Sequence, residues 1–162
     1  MQHRRWLPAS IFRPSFFMRI AVIADTHDRL PETLPAQLAN ADEIWHLGDV
    51  CAPSIIEALN HLGPPLRVVR GNCDDCLDWP LELRFEMEGF RILLTHIPPR
   101  VAPAEVDLLF HGHTHVPRLE RVGHALFLNP GCVTRPNRGA PASWAWLDLK
   151  RDEAVGWNRV LV

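Results

Sequence analysis

The 162-residue chain contains no tyrosine and a single lysine, Lys150, against sixteen arginines. With fifteen prolines, this skew resembles the codon bias of a GC-rich genome, and no function follows from it. Long apolar runs are missing too. Nothing approaches the ~20 residues that cross a bilayer as a helix, so no membrane partner is expected. Excess positive charge is also absent. A formal net charge of -2 and a pI near 6.5 lack the basic footprint of a protein that holds extended nucleic acid. Cysteine is limited to Cys51, Cys73, Cys76 and Cys132. Four cysteines without a signal-peptide pattern argue against a disulfide scaffold and for a reducing compartment, so the cytoplasm is the expected setting.

What is present suits one globular domain with a proper core. Residues 1–17 are basic, broken by proline and unpatterned. They are expected to lie outside the fold, with residues 18–162 forming the domain and Met18 a candidate true start. The run Arg19 to Ala24 is short, β-branched and apolar, as a buried strand is. Pro31 to Ala39 reads as a short helix, Glu43 to Leu47 as a strand, Pro53 to Leu62 as a helix and Leu66 to Arg70 as a strand. Gly63-Pro64-Pro65 stops the second helix. This alternation predicts parallel strands in an α/β layout. Beyond residue 80 the pattern changes to hairpins. Leu81–Met87 and Phe90–Thr95 flank Glu88-Gly89, Val116–Val122 and Ala125–Leu128 flank Gly123-His124, and Ser143–Lys150 and Ala154–Val162 flank Arg151-Asp152-Glu153. Asp107 to Phe110 is a further short strand. A second sheet packed on the first is the natural architecture.

Residues suited to metals fall where these strands end. Asp25-Thr26-His27 follows the first strand, Gly48-Asp49 the second and Gly71-Asn72 the third. Thr95-His96 and Gly112-His113-Thr114-His115 follow two later ones. Ligands of open α/β sheets gather at the carboxyl ends of strands. Glycine directly before Asp49, Asn72 and His113 permits a sharp exit and close backbone approach. Asp25, His27, Asp49, Asn72, His96, His113 and His115 offer two carboxylates, four imidazoles and one amide oxygen. That set suits manganese, iron or zinc and is too rich in imidazole for calcium or magnesium alone. Seven ligands exceed one tetrahedral ion but fit two ions that share a carboxylate. Asp25 and His27 share a loop and should serve one ion, which leaves Asp49 as the more sensible bridge. Two divalent ions, less two carboxylates and a hydroxide, leave about one positive charge to attract a phosphate ester. Such a pair lowers the pKa of shared water and clamps the attacking and leaving oxygens.

In this order D-x-H, G-D, G-N-C-D, T-H and G-H-T-H resemble the calcineurin-like metallophosphoesterase family. The forms G-N-C-D and N-P-G-C (Asn129 to Cys132) resemble its small bacterial and archaeal phosphodiesterase branch. The match runs from Met18 to about Arg135. The resemblance implies a four-layer α/β/β/α sandwich of two packed mixed β-sheets flanked by helices. It implies a phosphoric ester hydrolase with two divalent ions per chain. Manganese is the leading expectation, with iron, zinc, nickel or magnesium as alternatives. Asp25, His27, Asp49 and His115 would bind one ion, and Asp49, Asn72, His96 and His113 the other. The expected substrate is a small phosphodiester, attacked by a metal-bridging hydroxide. A phosphomonoesterase on the same site is the near alternative. A scaffold role is the distant one, because a eukaryotic retromer relative uses this fold chiefly for protein binding. Homo-oligomers are frequent among relatives, and no interface is legible here.

Two departures from the family pattern carry expectations of their own. Cys73 stands where many relatives have a proton-donating histidine, so Asp74 or metal-bound water becomes the candidate acid, with Asn72 the other catalytic candidate. Only ten residues separate His96 from Asp107, too few for the helix common there, so a stiff Pro-rich loop is expected beside the site. His111, just before Gly112, is a candidate phosphate contact. Duller readings serve elsewhere. His3, His61 and His124 are ordinary histidines, and His46 is a packed strand residue. Cys73-Asp74-Asp75-Cys76 lacks the second cysteine pair of a zinc site and the electropositive setting of a redox pair. Cys51 and Cys132 read as small buried residues, and Trp144, Trp146 and Trp157 as core. Asn129-Pro130-Gly131 is turn chemistry with a supporting duty near the site.

Overall fold

The computed structural model describes residues 17–162. The expectations for the N-terminal extension, and for His3 within it, therefore fall outside the described residues except at Phe17. Elements follow in chain order as β1 (Met18–Ile23), α1 (Leu34–Leu38), β2 (Glu43–His46), α2 (Pro53–Asn60), β3 (Leu66–Val68), β4 (Glu82–Met87), β5 (Phe90–Thr95), β6 (Leu108–Phe110), β7 (Arg118–Val122), β8 (Ala125–Asn129), β9 (Ser143–Leu149) and β10 (Gly156–Leu161).

Two mixed five-stranded sheets result, ordered β10-β9-β1-β2-β3 and β4-β5-β6-β8-β7. In the first, β1, β2 and β3 run parallel while β9 and β10 return antiparallel. In the second, β5, β6 and β8 are parallel, and the edge strands β4 and β7 pair antiparallel as hairpins. All three expected hairpins form. Some elements are shorter than their sequence patterns. Pro31 to Thr33 makes a turn, closed by Leu34 N–H to Pro31 O, before α1 begins.

The period of two along β1 explains its unbroken apolar run. Ile20 and Val22 point between the sheets, where they meet Trp45, Leu47, Ile92, Leu94, Phe110 and Leu128. Ala21 and Ile23 point the other way, onto Leu34 and Leu38 of α1 and Ile55 and Leu59 of α2. A strand covered on both faces has no reason to alternate in polarity. The outer face of the second sheet is covered differently. Leu93, Leu109 and Phe127 pack there against Val106 and Ala102, from the segment that joins β5 to β6. No helix forms in that segment, as its ten residues and its prolines at 98, 99 and 103 dictate.

Trp45 occupies the middle of the inter-sheet layer, fully buried, with its ring edge-on to Phe110 at 5.2 Å and to Phe85 at 5.5 Å. Its indole N–H donates to Glu43 Oε2 at 2.9 Å. Trp45→Ala is expected to lower unfolding stability by about 3–5 kcal/mol through lost burial and a residual cavity. Chemical denaturation checks this; a loss below about 1 kcal/mol would show that the sheets do not meet on this side chain.

Candidate metal centre

The exits of β1, β2, β3, β5 and β6 lie together at one end of the two sheets, laced by backbone hydrogen bonds. Asp25 N–H reaches Gly48 O, His27 N–H reaches Asp49 O, and Gly112 N–H reaches His96 O, each within 3.1 Å. This brings all seven expected ligands to one cleft. His115 Nε2 lies 3.3 Å from Asp25 Oδ1 and 3.1 Å from His27 Nε2. His27 Nε2 lies 3.8 Å from Asp49 Oδ2. On the far side of the same carboxylate, Asp49 Oδ1 is 3.3 Å from His96 Nε2. Asn72 Oδ1 then lies 3.1 Å from His96 Nε2 and 2.9 Å from His113 Nδ1. Asp49 therefore separates one group (Asp25, His27, His115) from another (Asn72, His96, His113), with an oxygen turned to each. Asp25, Asp49, His27 and His96 are buried at the floor, whereas Asn72 and His113 are exposed at the mouth.

The backbone is bent hard to achieve this. Asp25, His27, Asp49, His113 and His115 all have φ between 44° and 68°. Non-glycine residues in this left-handed region cost of the order of 1–3 kcal/mol each and collect at functional sites. The glycines before the ligands have a steric cause. A Cβ on Gly71 would fall 2.1 Å from Asp49 Oδ1 and 2.2 Å from Asp49 N. Gly48 combines a φ of +90° with a Cβ position 2.7 Å from Gly71 N.

The donor set fits cations. Asp25 Oδ2 is buried and has no hydrogen-bond partner among the described residues. A neutral His96 donates from Nδ1 to Leu47 O at 2.7 Å, and a neutral His115 from Nδ1 to Arg135 O at 2.6 Å. Each then turns a bare Nε2 lone pair toward carboxylate oxygens. Lone pairs facing lone pairs in a buried cleft need a proton or a metal ion between them.

Without metal, protons take that place. Burial works against charge on His96, but hydrogen bonding to Asp49 and the field of Asp25 outweigh it and raise its pKa. The hydrogen bond to Asp25 raises that of His115. For His27 burial prevails over both carboxylates, and its pKa falls. Asp49 is also opposed by burial, yet bonds from His96 and the Cys73 N–H hold its carboxyl below the usual range.

Asp74 and His111 have surroundings that their sequence positions do not reveal. Asp74 is committed to the backbone: Oδ2 accepts Asp49 N–H at 2.9 Å and Gly71 N–H at 2.7 Å, and Oδ1 accepts Cys51 N–H at 2.8 Å. The candidate acid is a tie between two site loops. His111 is fully buried, its ring edge-on to Phe127 at 6.4 Å, and burial lowers its pKa to about 4. Alternation along β6 sends residue 111 the same way as Leu109, yet it also lines the cavity shared with His113 and Thr114, its Nε2 buried and without a hydrogen-bond partner among the described residues. His46 is packed as expected and is also wired in: its Nδ1 takes Gly48 N–H and its Nε2 meets Thr26 Oγ1. Sequence reasoning missed Thr134, whose hydroxyl donates to Asp25 O at 3.1 Å, beside the Cys132 thiol on the same oxygen. Position after N-P-G-C was the only available signal. Asn129 does support the site, donating to Gly112 O and to Thr114 Oγ1.

This fold and this acid–imidazole cleft define a metallophosphoesterase: residues 18–152 match the calcineurin-like phosphoesterase superfamily domain, and the chain belongs to that family of metal-dependent phosphoric ester hydrolases. It is 34% identical over 162 residues to phosphodiesterase YfcE of Escherichia coli K12, covering 81% of this chain and 88% of that protein. It is equally 34% identical, over 143 residues, to a probable metallophosphoesterase of Methanothermobacter thermautotrophicus, covering 77% of this chain and 83% of that one. The solved structure of the E. coli YfcE phosphoesterase superposes with a TM-score of 0.69 at 29% identity, over 90% of this chain and all of that one. No helix among the described residues is long and apolar enough to cross a membrane.

Gly71→Ala is expected to displace Asp49 and to lower both metal content and activity by more than about tenfold, although the added methyl is only a small volume. Wild-type metal content in the variant would contradict the close approach. A second expectation concerns pH. Charged His96 and His115 stabilise the metal-free protein below the ordinary histidine value of 6.5, and that contribution is lost as pH rises through their raised pKa values. Metal competes with the same protons, so the Tm increase caused by Mn2+ should grow between about pH 6 and pH 8. An increase independent of pH would remove these imidazoles from the ligand set.

Proposed function

We propose that the chain is a dinuclear metal-dependent phosphodiesterase acting on small phosphate esters in the cytoplasm, with manganese as its metal and residues 18–162 as its catalytic unit. The carrying observation is Asp49, whose two oxygens face two separate groups of nitrogen and oxygen donors. Asp25, His27, Asp49 and His115 would hold one ion, and Asp49, Asn72, His96 and His113 the other. Two bound divalent ions would supply an acidified water as nucleophile and positive charge for the phosphoryl oxygens.

The residues themselves do the rest. Asp25 and Asp49 at the floor would offset about half of the charge of two divalent ions, leaving net positive charge to draw an anionic ester. His113 and Asn72 at the mouth face the arriving phosphate. Asp74 holds the Asp49 and Gly71 loops in register through its three backbone hydrogen bonds. Both of its oxygens accept backbone N–H groups, which favours the charged carboxylate over a proton donor, and Cys73 is a poor donor in place of histidine. This favours esters whose leaving groups depart without protonation. A cavity of about 430 Å³, whose lining includes His111, His113, Thr114, Arg118, Asn137 and Arg138, adjoins the mouth and would seat the organic half of a diester. The complete donor set favours catalysis over a scaffold role.

Mn-reconstituted protein should hydrolyse bis-p-nitrophenyl phosphate faster than p-nitrophenyl phosphate. The reverse preference would replace the diester reading with a phosphomonoesterase; turnover of neither, with substoichiometric metal, would end the enzymatic one. Asp49→Ala should cost more than about 100-fold in turnover, beyond what residues that only orient ligands contribute, and empty both metal positions. Retained occupancy would show that Asp49 is not shared.

A further inference from the structure

Beside the site lies a second donor cluster of different chemistry. His27 has two nitrogens, and they face different surroundings. Nε2 points to the oxygen-rich centre, while Nδ1 lies 3.6 Å from Cys51 Sγ. Cys73 completes the group, and the three donor atoms of His27, Cys51 and Cys73 all lie within 4.8 Å of one another.

The two thiols are distant in sequence, and their meeting is enforced by the loop ties already described. Cys51 N–H donates to Asp74 Oδ1 and Cys73 N–H to Asp49 Oδ1, both at 2.8 Å. The cysteines are thus clipped to adjacent carboxylates. Cys51 is half-buried and Cys73 exposed, so an ion can reach the pair from solvent.

We propose that Cys51, Cys73 and the Nδ1 of His27 form a site for a thiophilic cation such as zinc or cadmium, separate from the oxygen-rich centre and in competition with it for His27. Two sulfurs and one imidazole are a soft set that manganese and magnesium do not favour. Small side-chain rotations close separations of this size around a tetrahedral ion, leaving a fourth position open to water. Binding displaces both thiol protons. The Asp28 and Asp74 carboxylates lie near the Cys51 thiol. The same carboxylates attract that cation. A neutral imidazole offers one lone pair, so it serves either the sulfur pair or the oxygen-rich centre. Occupation of the sulfur site therefore removes one ligand from the centre and inhibits the enzyme.

The decisive measurement is titration of full-length, reduced, metal-free protein with Cd2+, followed by the ultraviolet thiolate-to-cadmium charge-transfer band. One equivalent should give the amplitude of two thiolates. Cys51→Ser should halve the amplitude and weaken binding by about tenfold or more. Cys73→Ser, at an exposed position, repeats the test should Cys51→Ser disturb folding. Absence of the band, or full amplitude in both variants, overturns the proposal. Activity is a second readout, and that arm alone rests on the phosphodiesterase reading. Cd2+ should inhibit the Mn-loaded wild type, while Cys51→Ser keeps its turnover without cadmium and resists inhibition; equal inhibition of the two overturns the competition. A protein that shows the band but hydrolyses no ester leaves the thiol site standing and sinks the functional reading.

Discussion

Asp25 and Asp49 are two carboxylates held side by side with almost no access to solvent. Bringing two such groups out of water is costly unless positive charge meets them there. Everything at this end of the sheets can be understood as a response to that constraint. The imidazoles of His27, His96 and His115 converge on the pair, His96 and His115 fixed in direction by a backbone carbonyl behind the ring. Protons serve as the compensating charge in the absence of metal, which is why His96 and His115 hold theirs more tightly than usual. Cations serve the same purpose with more charge.

Holding like charges together also needs a frame that does not yield. Asp74 supplies part of it by accepting three backbone N–H groups from the loops after β2 and β3. Thr134 and Cys132 fix the carbonyl of Asp25 from the opposite side. The left-handed backbone at five ligand positions indicates how much local strain that frame withstands. The apolar layer around Trp45 lies directly behind the site and resists its relaxation.

Much of this was legible in the chain itself. Strand-end placement, the order of D-x-H, G-D, G-N, T-H and G-H-T-H, and glycine before three of the ligands pointed to the cleft and its seven residues. The two sheets followed from a change in pattern, and the short interval after His96 foretold a loop instead of a helix. What was not legible depends on direction, not on residue type. Asp74 looks like an acid in sequence, yet its oxygens are consumed by backbone donors that no spacing reveals. His111 stands beside the ligand motif, but strand alternation buries its ring against Phe127 at the back of the cavity it shares with His113. The meeting of Cys51 with Cys73 comes from two parallel strand exits being neighbours in space. Thr134 acts through its hydroxyl on a carbonyl, a contact without a sequence signature.

The segment between β5 and β6 covers the second sheet without regular secondary structure while beginning at His96. Its Ile97 and Val101 are exposed, and only Val106 is anchored firmly in the layer beneath. A covering of this kind is bound by few register requirements, so its length and composition can drift with little cost to the sheets. The floor of the site, by contrast, tolerates almost no change, since even a methyl at Gly71 collides with Asp49. The molecule thus divides evolutionary freedom unevenly: the reacting centre is frozen while the wall beside it stays open to variation, a division that lets one chemistry be redirected among esters of different shape.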